Sequence, residues 1–138
     1  MKRPGVEGTS ISNGLRYFFA IAAFVLAGWS ARAENRPVAV GFLGGWERAD
    51  DEHRSVRQLC LRLRTTAPVD AETFSNHHRG RALNYIKTHL DADHDGKLSE
   101  AEKRDAVVIL YGQSMGGGAV VHCARKLKKW GVPVRLTV

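Results

Sequence analysis

The chain has 138 residues, enough for one domain, and 21 Lys and Arg against 14 Asp and Glu give it a net charge of +7. Part of that balance is N-terminal: setting aside residues 1–33, with four Lys or Arg and one Glu, leaves 17 basic and 13 acidic residues and a charge of +4. The remaining positive charge gathers in Arg125, Lys126, Lys128 and Lys129 without interleaved aromatics, which argues against a nucleic-acid surface and for a solvated helix face.

Lys2, Arg3 and Arg16 precede the apolar run Tyr17–Gly28, and Ala31-Arg32-Ala33 supplies a small-x-small cleavage pattern. The run is 12 residues long, short of the ~20 that a spanning helix requires. Residues 1–33 are therefore expected to be a cleaved signal peptide, leaving a secreted or periplasmic chain of residues 34–138 with no membrane span. An uncleaved anchor is the alternative. Trp29 follows Leu26-Ala27-Gly28 where a lipoprotein signal would carry Cys.

Beyond the leader, Pro37–Phe42 is an apolar, β-branched run closed by Gly44-Gly45 and predicts a buried strand. Asp50 or Asp51 is placed to cap a helix that carries Val56, Leu59, Cys60 and Leu63 on one face. Val69–Phe74 alternates apolar and polar residues, as a half-buried strand does. Arg79–Leu90 presents Leu83, Ile86 and Leu90 at helical spacing, and Ala106–Tyr111 is the strongest strand signal. Gly116–Trp130 predicts a helix closed by Gly131 with Pro133 beyond it, and Val132–Val138 a last strand. Cys60 and Cys123 fall on apolar helix faces; a disulfide is permissible in an exported chain, but buried free thiols fit these positions better.

Strands alternating with helices imply the α/β class, a partial parallel sheet with helices on both faces. Ending on a strand at Val138, the chain reads as the first half of a larger α/β domain, either truncated or a true short form.

Asp91–Glu102 (DADHDGKLSEAE) has an oxygen-bearing residue at each place where a twelve-residue calcium loop needs one. Asp91, Asp93 and Asp95 fill positions 1, 3 and 5, Gly96 takes the turn, and Lys97 offers its backbone carbonyl. Ser99 suits a water-mediated ligand and Glu102 a bidentate one. Four carboxylates this close repel unless a cation neutralises them. Over these residues the chain resembles the EF-hand family, with Arg79–Leu90 as entering helix and a shortened exiting helix from Ser99 to about Asp105. The resemblance implies Ca2+ as a structural ion, since a single loop lacks the paired arrangement of sensors. The competing reading is an acidic solvated loop.

Gly112-Gln113-Ser114-Met115-Gly116 follows a strand and opens a helix, the context a G-x-S-x-G turn requires. It resembles the nucleophile elbow of the α/β-hydrolase superfamily, with Gln113 where His is common. Phe42-Leu43-Gly44-Gly45-Trp46 stands in the place of that superfamily's oxyanion-loop strand. Together with the acidic loop, the likeness extends over most of Val38–Val138 to exported bacterial hydrolase-like proteins carrying a DxDxDG loop ahead of the elbow strand. It implies Ser114 as nucleophile, the Met115 amide and one near Gly44 as oxyanion donors, and a small ester or thioester as substrate. In that superfamily the acid and histidine follow the nucleophile, yet His122 is the only titratable candidate after Ser114 and no Asp or Glu follows it. A serine without a base is a weak nucleophile, so little or no activity is expected. The alternatives are a calcium-held binding module with a relic serine, and a small esterase using His77 or His78.

Overall fold

In a computed structural model of the chain, residues 36–138 are described; the expected signal peptide and its cleavage site lie outside them. Four strands, β1 (Val38–Leu43), β2 (Asp70–Ser75), β3 (Val108–Gly112) and β4 (Val134–Thr137), form one sheet. Four helices accompany them: α1 (Ser55–Thr66), α2 (Arg79–Leu90), α3 (Glu100–Asp105) and α4 (Met115–Lys129). All pairings are parallel, in the order β2-β1-β3-β4. The expected α/β class with a parallel sheet and flanking helices is what the chain forms.

Every residue of β1 is buried, as a central strand covered on both faces must be. Val38, Val40 and Phe42 pack with Val108 and Leu110 beneath α2 and α4, against Leu83, Ile86, Leu90, Val120, Cys123 and Leu127. Ala39 and Leu43 face the other way with Tyr111, against Val56 and Cys60 of α1. The two thiols thus lie free and buried on opposite faces of the sheet, which rules out a disulfide between them in this fold. The helices change face between the connection after β1 and that after β3. That change makes the β1/β3 junction a topological switch point, where ligands of open α/β sheets bind beyond the carboxyl ends of the strands.

Several local expectations need correction. Neither Asp50 nor Asp51 caps α1: its first flanking residue is Arg54, with no side-chain cap. Asp51 instead accepts a hydrogen bond from the His53 amide at 3.0 Å and pairs with Arg54 at 3.2 Å. Leu59 is 43% exposed rather than core, while Val56 and Cys60 of the same stripe are buried. β3 starts at Val108 because Ala106 still closes α3, its amide bonded to the Lys103 carbonyl. β4 is limited to Val134–Thr137, with an irregular register against Val108 and Ile109. Gly131 turns the chain after α4 at φ 78°, in the left-handed region, and Pro133 has no amide to donate. Among the described residues no helix is long and apolar enough to cross a membrane.

Candidate functional site

The acidic loop begins where α2 ends. Asp91 is the residue after the helix and is buried, whereas Asp93 and Asp95 are exposed. One carboxylate oxygen from each of Asp91, Asp93 and Asp95 lies within 4.8 Å of the others. Backbone amides hold this convergence. Asp91 accepts from the amides of Asp95 (3.2 Å) and Gly96 (2.8 Å), Asp93 from Asp95 (3.2 Å), and Asp95 from Lys97 (2.7 Å). Such folding needs two left-handed residues, His94 at φ 58° and Gly96 at φ 81°.

Glu102 and Ser99 are joined in a capping box at the start of α3. The Ser99 amide and hydroxyl donate to Glu102 Oε2 at 2.7 and 2.9 Å, and Glu102 Oε1 accepts from the Ala92 amide at 2.8 Å. Glu102 therefore ties the exit of the loop to its second residue. The Ser99 amide holds its carboxyl below the usual carboxylate range. Of the six expected ligands, the structure gathers Asp91, Asp93 and Asp95 into one cluster. Ser99 and Glu102 are engaged with each other beside it, and Lys97 turns its amide onto Asp95.

The second centre is the turn from β3 into α4. Ser114 has φ 53° and ψ −121°, a conformation costing about 1–3 kcal/mol that persists only where surrounding structure enforces it. The enforcing contacts are close backbone approaches. A Cβ on Gly112 would lie 2.8 Å from the Gly116 carbonyl group, and one on Gly116 would strike the Phe42 carbonyl oxygen of β1. A Cβ on Gly44 would sit 2.9 Å from the Gln113 carbonyl oxygen and 3.2 Å from Ser114 Cβ. The chain after β1 is thereby pressed against the elbow, so Gly44 and Met115 are both neighbours of Ser114. The Gln113 amide bonds the Phe42 carbonyl at 3.3 Å, and Ser55 of α1 donates to Gln113 Oε1 at 3.1 Å. This Ser55 link has no signal in the sequence, being a contact across 58 residues.

The Ser114 hydroxyl makes no hydrogen bond among the described residues, and no described histidine is bonded to it. His122 is half-buried on α4. The rings of His77 and His78 lie tilted against each other with centroids 4.2 Å apart, His53 lies 3.2 Å from Asp51, and His89 lies 2.9 Å from the Tyr85 carbonyl. Under the elbow strand, the Tyr111 phenol and Cys60 thiol are both raised by burial. No protein-family model, curated protein or solved structure matches the chain.

Proposed function

We propose that the chain binds one calcium ion through Asp91–Glu102, with Asp91, Asp93, Asp95 and Glu102 as carboxylate ligands, Lys97 through its carbonyl and Ser99 through water. The reading rests on one observation, the three aspartate oxygens within 4.8 Å of one another on a loop folded by its own amides. The ion is structural. It pins the end of α2 to the start of α3, and through six-residue α3 to the strand that ends at the elbow. Calcium binds at about 10⁻⁴–10⁻³ M, as in extracellular modules of this kind. That range fits a chain whose leader, residues 1–33, directs export. Isothermal calorimetry with the Asp91→Ala variant as control tests the reading. Absent heat, or equal heat in the variant, refutes it.

A second reading has its own observation, the backbone of Ser114. Its left-handed φ, its position at the switch point and the adjacent Gly44 and Met115 favour an α/β-hydrolase-like elbow over a plain glycine turn. Turnover of a small ester or thioester additionally needs a base and an acid beside Ser114, which the described residues do not place there. A fluorophosphonate probe that labels the chain but not Ser114→Ala supports a nucleophilic serine. An unlabelled chain leaves only the calcium role.

A further inference from the structure

A cavity of about 510 Å³ opens on the side of the molecule where α2, the acidic loop, α3 and α4 meet. Its lining is Lys87, Lys97, Leu98, Lys103, Lys129 and Trp130. Four lysines from four separate segments line one concavity, and of these only Lys103 is ion-paired among the described residues, to Glu100 at 2.8 Å. That carboxylate is 89% exposed and cannot neutralise the rest.

The bland explanation is that each lysine serves its own helix end. It accounts for little here. Lys97 lies in the acidic loop ahead of α3 and at no helix end, and the lining itself holds no Asp or Glu to offset the four lysines. The end of α4 is also largely satisfied: its last carbonyls accept from the amides of Trp130, Gly131 and Val132. A net positive concavity with low-dielectric walls focuses its field on an anion. Two other basic residues of α4, Arg125 and Lys128, line a different depression, and three of the cavity's four lysines come from outside α4.

Trp130 narrows the ligand. Trp130 is 38% exposed and lines the same cavity as the four lysines. Lysine ammoniums are point charges on flexible stems, suited to phosphate rather than to the planar fork that carboxylates share with arginine. Aromatic stacking adds about 1–3 kcal/mol for each ring seated on an aromatic face. The volume is of ligand-site size, about 300–1,000 Å³.

We infer that this cavity is a binding site for a small phosphomonoester carrying an aromatic ring, a mononucleotide being the simplest form. The phosphate sits among Lys87, Lys103 and Lys129 and the ring lies against Trp130. The site does not depend on Ser114 chemistry; it shares Lys97 and Leu98 with the acidic loop, so the dialysis is run with and without calcium.

Equilibrium dialysis of the full chain against AMP, with adenosine and methyl phosphate as competitors, tests it. AMP is expected to bind at least about tenfold tighter than either fragment. Lys129→Glu should weaken AMP about tenfold, Trp130→Ala should abolish the preference for AMP over methyl phosphate, and Arg125→Glu should change affinity less than about twofold. Arg125→Glu alters net charge equally but away from the cavity. Circular dichroism confirms folding, and Lys129→Gln replaces any charge reversal that fails to fold. AMP bound no better than methyl phosphate, or equal losses in Arg125→Glu and Lys129→Glu, would overturn the assignment. So would tighter binding of a 5′-phosphorylated oligonucleotide, which would move the ligand class to nucleic-acid ends.

Discussion

Replacing Gly116 by Ala adds one carbon at the tightest point of the fold. That carbon would overlap the Phe42 carbonyl oxygen and lie 2.9 Å from the carbonyl carbon. Ordinary carbon contacts are about 3.5–4.0 Å, so α4 and β1 must part by roughly 1 Å. The obstructing atoms are backbone at the centre of the sheet, not a side chain that can swing aside. Overpacking of this kind costs about 1–3 kcal/mol when side chains can yield, and the upper end or beyond is expected here. Gly117, the next residue, has nothing within 4 Å of an added Cβ. There alanine gains helix propensity and should stabilise by about 0.5–1 kcal/mol. With about 4–8 °C per kcal/mol for a domain near this size, Gly116→Ala should lower Tm by at least about 12 °C while Gly117→Ala raises it by a few degrees. Thermal melts followed by circular dichroism read both. If Gly116→Ala melts with the parent, helix and strand do not approach so closely, and the account of how Ser114 is held strained is wrong.

Three other outcomes are expected. Burial pushes the Cys123 thiol up to about 11, so the folded state keeps a proton that the unfolded chain releases from about pH 9. Stability should therefore be intact below pH 9 and fall as pH rises towards 11, by roughly 3 kcal/mol in all; urea midpoints that decline equally steeply in Cys123→Ala would assign the loss elsewhere. Glu72 bridges Arg57 at 2.9 Å and Arg64 at 2.8 Å, fastening α1 to the edge strand β2. Glu72→Ala leaves the largely buried Arg57 guanidinium with the Thr73 hydroxyl but no carboxylate, and should cost about 1–2 kcal/mol in urea unfolding, with a loss under about 0.5 kcal/mol counting against the bridge. Calcium at about one hundred times its dissociation constant should stabilise the chain by about 2.7 kcal/mol and leave Asp91→Ala unmoved, a difference visible in Tm.

Local patterns carried most of the fold. Arg79–Leu90 has the same limits in sequence and structure because Leu83, Ile86 and Leu90 mark one helical stripe and Asp91 ends it. β1 is legible because six consecutive apolar or small residues suit a strand buried on both faces. The misplacements arise where tertiary contacts outweigh local preference. Asp51 has the chemistry of a helix cap but is recruited by His53 and Arg54 instead. Leu59 belongs to the right stripe, yet α1 rests on the sheet through Val56 and Cys60 and leaves it outside. In the acidic loop the convergence of Asp91, Asp93 and Asp95 was legible, since its turns are made by residues two to five positions apart, whereas the engagement of Glu102 with Ser99 and Ala92 was not. The lysine-lined cavity was not, because its walls come from positions spread between Lys87 and Trp130 that no sequence period relates.

The two motifs are neighbours in sequence but are secured by different parts of the molecule. The acidic loop is closed by its own amides and by the Glu102–Ser99 box, all within Asp91–Glu102. The elbow is held from the opposite direction, by Phe42 of β1, by Gly44 and by Ser55 of α1. None of those three touches the loop in the contacts described. Strain of about 1–3 kcal/mol at Ser114 is thus offset by packing that a cation at Asp91 does not alter. The ion proposed for the loop would stabilise the folded state as a whole, by fixing how α2 feeds α3 and β3. The conformation of Ser114 is set by the glycines, and a role for calcium in serine reactivity would have to act through the population of folded chains.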